Sequence, residues 1–118
     1  MIEDYKEQNA RITKTMLGKE DHGIFTFMLH LNYGDGGQGA GGWALDDAVL
    51  DGGGKFVRRA GTAEGMALII RILETLEVKT WEDLPGTFCR VRASMGVEEI
   101  GHPLKNQWLN FRDHFGGS

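Results

Sequence analysis

A single cysteine, Cys89, rules out any disulfide within the chain. Metal-ligand spacing is missing as well. His22, His30, His102 and His114 form neither H-x-x-x-H nor H-E-x-x-H, and Cys89 has no neighbouring cysteine. A zinc site needs several convergent ligands, so no metal and no cofactor are expected. No stretch approaches the roughly 18 apolar residues of a membrane-spanning helix. The first residues, MIEDYKEQNARITK, are polar rather than a secretion signal. These absences predict a cytoplasmic protein with no membrane association. Charge imbalance is small: the net charge of −4, from 13 basic and 17 acidic residues, gives no general attraction to nucleic acid. Ser94 is the only serine inside the chain, and its surroundings do not resemble a nucleophile elbow.

Glycine, by contrast, is abundant: 18 of 118 residues, where about 7% is usual. It is clustered, which marks particular connections rather than a fibrous repeat. With 41% hydrophobic and 25% charged residues, the remainder is ordinary for one globular domain. Residues 1–9 are charged and without period, which predicts a loose arm. Residues 10–115 are expected to form one domain, and residues 116–118 a flexible tail.

Residues 10–17 alternate imperfectly and predict a strand, and residues 18–23 (GKEDHG) predict a turn. The clearest strand is 24–33, with Phe25, Phe27, Leu29, Leu31 and Tyr33 on one face. A glycine-rich connection over 34–42 follows, then a short strand at 43–45. The second glycine run, 52–54, leads into residues 55–59. From Thr62 to Glu77 the spacing predicts a helix, capped by the Thr62 hydroxyl. Its stripe of Met66, Ile69, Ile70, Leu73 and Leu76 is expected to pack on Phe25, Phe27, Leu29 and Leu31. Residues 80–84 read as one turn stopped by Pro85-Gly86, and residues 87–93 as a strand with Cys89 and Val91 turned inward. Trp108, Leu109 and Phe111 require the tail to dock. The expected architecture is α+β: a mostly antiparallel sheet, β-β-β-α-β-β, with one amphipathic helix packed on one face.

Two patterns carry potential chemistry. GDGGQG (34–39) matches G-x-G-x-x-G, whose phosphate-binding mechanism needs a helix to begin directly after the loop. No helical period follows, and no G-K-[ST] follows, so Rossmann and Walker readings fall away. Nine residues are still more than a hairpin connection needs. Tyr33, Gln38 and Trp43 therefore become candidate binding residues, with Gly36 and Gly39 shaping the loop. Phe88, Arg90 and Arg92 share one strand face and resemble an aromatic-plus-guanidinium stripe for nucleotides. The alternative for that stripe is a solvated face balanced by Glu98 and Glu99. Asp21-His22 could orient an imidazole, but no nucleophile accompanies the pair, so no catalytic residue is assigned.

Five phrases in order are LGKEDHGI (17–24), LNYGDGGQGAGGWAL (31–45), ILETLEV (72–78), WEDLPG (81–86) and IGHPLKNQW (100–108). Together they resemble a family of small, mostly uncharacterised proteins encoded by bacteriophages and prophages. The resemblance covers most of residues 11–111, and its most specific parts are E-D-H-G-I and G-Q-G-x-G-G. It carries no catalytic residue across. It implies a counter-defence role: a non-enzymatic, anti-CRISPR-like protein that binds and inhibits a host defence complex. Two other readings stand beside it. One is a nucleotide- or nucleic-acid-binding module, such as a sponge for a signalling nucleotide; the other is a small enzyme acting on nucleotides. Homo-oligomers are compatible with all three.

Overall fold

The computed structural model describes residues 6–34, 36–94 and 96–116. Two long strands, β1 (Lys6–Asp21) and β2 (Ile24–Tyr33), pair antiparallel up to Asp21↔Ile24. The turn between them is only His22 and Gly23, with φ of 55° and 76°. Two positive φ values in a two-residue hairpin are the type I′ geometry, which matches strand twist. The turn expected over 18–23 is therefore two residues long, and the strand expected over 10–17 extends both ways. Residues 6–9, expected to be loose, belong to β1; residues 1–5 lie outside the described residues. The β1–β2 register shifts between Ile12 and Lys14.

β3 (Gly36–Gly41) runs back along β2, from Tyr33↔Gly36 to Met28↔Gly41. Residues 43–45 are not a strand. The chain passes instead into β4 (Asp46–Leu50) and β5 (Phe56–Gly61), a separate two-stranded sheet. Helix α1 (Ala63–Leu76) follows, then a 3-10 turn at Trp81–Asp83. β6 (Phe88–Ala93), β7 (Val97–Gly101), β8 (Trp108–Asn110) and the short α2 (Phe111–His114) complete the chain. Six strands form one sheet in the order β3-β2-β1-β6-β7-β8, with every neighbouring pair antiparallel. The α+β class is as expected, but the order is five strands, helix, three strands and a short helix. The sheet curls enough for β3 to approach the β6–β7 turn: a Cβ on Gly96 would lie 3.3 Å from Gln38 Nε2.

Thr62 caps α1 as its sequence predicts, its Oγ1 accepting a hydrogen bond from Gly65 N at 2.9 Å. The helix closes with Glu77 left-handed at φ 57° and Val78 N donating to Leu73 O. Of the expected stripe, Leu76 is buried and Ile69 and Leu73 pack partly buried against the core, but Met66 and Ile70 do not. Leu68, Ile72 and Leu76 are buried against the sheet, whereas Met66 is 62% and Ile70 47% exposed. Gly65 sets this rotation. Its backbone lies directly on Leu45, and a Cβ there would collide with the Leu45 carbonyl. Phe27, Leu29 and Leu31 supply the β2 side of the core, with Phe25 only partly buried. Cys89 and Val91 point inward, as expected for β6, and join Ile12, Ile100, Leu109 and Phe111. No helix among the described residues is long and apolar enough to cross a membrane.

Candidate binding surfaces

The glycine-rich connection is mostly strand. Residues 36–41 are β3, and the chain reverses between Tyr33 and Gly36, so the nine-residue loop does not exist. Glycine serves close packing at three of these positions, Gly41 among them, where a Cβ would collide with the Phe27 carbonyl. The Met28 sulfur lies over Gly39, 2.7 Å from where a Cβ would sit, and Gly37 backs onto the Leu31 carbonyl. Nothing crowds Gly36. β3 leads into β4 rather than into a helix, so the G-x-G-x-x-G match lacks the helix N-terminus that its phosphate mechanism needs. Tyr33 donates its hydroxyl hydrogen to Gln38 Oε1 at 2.8 Å, tying two candidate residues together. Trp43 sits farther on, stacked on Phe115 with centroids 5.7 Å apart. Its carbonyl accepts from Thr26 Oγ1 at 2.7 Å.

Arg90 and Arg92 face away from the core, and each already has partners. Arg90 donates to Glu7 Oε2 at 2.9 Å, to the His102 carbonyl at 2.9 Å and to the Lys105 carbonyl at 2.7 Å. Arg92 reaches Glu99 at 3.2 Å and Glu7 at 3.5 Å. Both guanidinium groups lie over Trp108, 4.8 and 3.7 Å from its ring centroid. Gly101 lets the indole lie flat, because a Cβ there would stand 2.6 Å from a Trp108 ring carbon. Charge, cation–π and glycine contacts thus lock this face. In the sheet order β2 and β1 lie between the glycine strand and Arg90 and Arg92.

Phe88, at the start of the same stripe, is different. It is 63% exposed, with the Arg11 guanidinium 6.0 Å from its ring centroid. Together with Asn9, Arg11, Asn32, Tyr33 and Gly34 it lines a cleft of about 280 Å³. The structure therefore unites Phe88 with Tyr33 rather than with Arg90 and Arg92. Arg11 and the two asparagines were not singled out in the sequence. Their signal is alternation in β1 around buried Ala10 and Ile12, which turns Asn9 and Arg11 outward. A second cleft, about 510 Å³, lies between Trp43 and the β7–α2 region, with Glu98, Asn110, Arg112 and Asp113 along it.

The remaining reactive side chains serve structure. Burial pushes the Cys89 thiol up to about 12, so it is an inert core residue. Lys105 Nζ, 2.7 Å from Glu77, holds that carboxylate below its ordinary range. His102 Nδ1 accepts from the backbone N–H groups of Leu104 and Lys105, both at 3.0 Å, leaving Nε2 toward Glu77 at 3.6 Å. His114 bridges the Glu64 carbonyl and Arg71, fastening α2 to α1. His22 occupies the β1–β2 turn, and the Asp21 side chain lies outside the described residues. Among the described residues, no three His, Cys, Asp or Glu side chains are grouped to hold a metal ion.

The β4–β5 arm carries exposed apolar side chains that no sequence motif marks. Leu50 and Phe56 are cross-strand partners, 56% and 61% exposed, and Val57 beside them is 54% exposed. The arm is anchored at its base. Asp46 is buried and accepts from Arg59 Nε and Nη2, at 3.0 and 2.9 Å, and from the Phe25 N–H at 3.1 Å. The Arg59 hydrogen bonds hold its carboxyl below the ordinary value of 3.8. The tip is fixed as well, because Asp51 Oδ1 accepts from Gly53 N and Lys55 N at 2.8 and 2.9 Å.

Comparison with family models, with curated proteins and with solved structures finds no match for this chain.

Proposed function

We propose that this chain is a non-catalytic binding protein that masks a surface of a host defence component, as its resemblance to small phage-encoded proteins suggests. The observation that carries the binding reading is Phe88. A large aromatic side chain left 63% exposed beside a cleft is the residue type and setting of an interface hot spot. Hydrogen-bonding groups surround it: the amides of Asn9 and Asn32, the backbone around Gly34, and the Arg11 guanidinium. Tyr33 and Gln38 continue that surface along the β2–β3 edge, and Gly36 leaves its strand uncrowded.

A second reading rests on Arg11. Its guanidinium lies over Phe88 and has no carboxylate partner among the described residues. An aromatic face with an adjacent cation also suits a base and a phosphate. Arg90 and Arg92 contribute nothing to that site.

Affinity capture from host lysate, with wild-type, Phe88→Ala and Arg11→Ala proteins compared, separates the two. Mass spectrometry reads both bound proteins and bound small molecules. The inhibitor reading expects a specific host protein, lost on Phe88→Ala by about 30-fold or more in affinity and little affected by salt. A nucleotide that co-purifies, and disappears in both variants and at high salt, replaces it with the second reading.

A further inference from the structure

We propose that the β4–β5 arm docks on helix α1 of a second copy of this chain, giving a two-fold symmetric dimer. Two further apolar surfaces stand exposed among the described residues. One is the arm tip, where Leu50 and Phe56 pair across the two strands, each more than half exposed. The other is the outer stripe of α1, where Met66 and Ile70 are 62% and 47% exposed with the small Ala63 and Ala67 beside them. Residues 63, 66, 67 and 70 lie on one helix face by their spacing. Their exposures show that the two surfaces do not cover each other within one chain.

Charge selects the occupant. The Lys55 ammonium and the Arg58 guanidinium sit on the arm without a carboxylate partner among the described residues. On α1 the apolar stripe runs on into Glu74, four residues beyond Ile70 and equally without a cation. An apolar hairpin with two cations thus fits an apolar helix face ended by a carboxylate, and this chain carries both halves. A two-fold contact uses each half twice and closes on itself, as isologous interfaces do. The arm also needs no ordering on binding. Asp51 locks the tip, and Asp46 with Arg59 locks the base, so little entropy is lost in docking.

Sedimentation velocity over a concentration series tests the dimer, with phosphatidylserine vesicle flotation alongside. The expected species is a dimer of the 13.1 kDa chain. Phe56→Ser and Ile70→Ser should each raise the dimer Kd by about 30-fold or more, with circular dichroism unchanged. Arg58→Glu and Glu74→Arg should each weaken the dimer. Combining them should recover about tenfold, because the pair is re-formed with reversed signs. A chain that stays monomeric throughout overturns the proposal, as does a dimer indifferent to Phe56→Ser. Vesicle binding that depends on Phe56 would reassign the arm to lipid. Phe88→Ala leaves the dimer intact, so failure of the dimer and failure of the Phe88 reading are separable.

Discussion

Arg90 and Arg92 on β6 and Leu50 and Phe56 on the arm all sit on the outside of β-strands. Their situations differ in what the fold has already satisfied. The arginines look like ligand-seeking groups, yet every one of their strong contacts is made within the chain, to Glu7, Glu99, two carbonyls and the Trp108 ring. The arm residues look like ordinary strand hydrophobics, yet they contribute little to the core and remain wet. Surface charge therefore says little about binding until its partners are counted. Exposed apolar side chains held on a rigid support say more.

The comparison can be broken most forcefully within α1. Ile72→Ala should lower stability by about 2–5 kcal/mol in chemical denaturation. Ile70→Ala should lower it by less than about 1 kcal/mol at concentrations where the chain is monomeric. Equal losses would mean that the outer stripe is buried after all. Next is Gly101→Ala, which pushes Trp108 out from under the two guanidinium groups. About 1–3 kcal/mol should be lost, with a red-shifted tryptophan emission; no change in either would mean the stacked face is not locked.

Acid sharpens the comparison at the arm's base. Asp46 titrates lower in the folded chain than unfolded, so its contribution is present above 3.8 and is lost as pH falls through the folded value below that. Amide exchange at Phe25, whose N–H donates to Asp46, should accelerate in that acidic window. Asp46→Asn should remove this pH step. A Phe25 amide equally protected on both sides of the window would detach the carboxylate from the arm's anchorage. The smallest effect is expected at Phe88. Phe88→Ala should lower the unfolding free energy by no more than about 0.5 kcal/mol; a larger loss would make Phe88 a packing residue rather than a contact residue.

Legibility in the sequence followed side-chain period. Residues 24–33 and 87–93 alternate well enough that both strands appear, with Phe27, Leu29, Leu31, Cys89 and Val91 turned inward as expected. Thr62 announced the start of α1 because its hydroxyl has one obvious task there. Helix rotation was harder to read. AEGMALIIRILETL is apolar on more than one side, and the deciding feature is Gly65 against Leu45, a tertiary contact with no local signature. β3 was hidden because GGQGAG has almost no side chains to alternate; only pairing with β2 reveals it. Arg90 and Arg92 read as a candidate site because Glu7, their common partner, lies at the far end of the chain. The arm did leave a trace: Asp51-Gly52 between two short runs is a hairpin signal. Exposure of those runs, however, is a property of the assembled fold. Of the candidate site, Tyr33 stands near both Gln38 and Phe88, while Asn9 and Arg11 come from β1, the strand between, and Asn32 from β2.

The sheet order β3-β2-β1-β6-β7-β8 has a kinetic consequence. β1 to β3 and β6 to β8 are each built from neighbours in sequence, with short connections that form quickly. One seam, from Lys6↔Ala93 to Arg11↔Phe88, joins the two halves, and making it closes a loop that contains the arm and α1. Local halves should therefore assemble first, and docking along this seam should limit the folding rate. Glu7, which bridges the seam to both arginines, is then the residue whose removal should slow refolding in a stopped-flow experiment, out of proportion to its place near the chain's start.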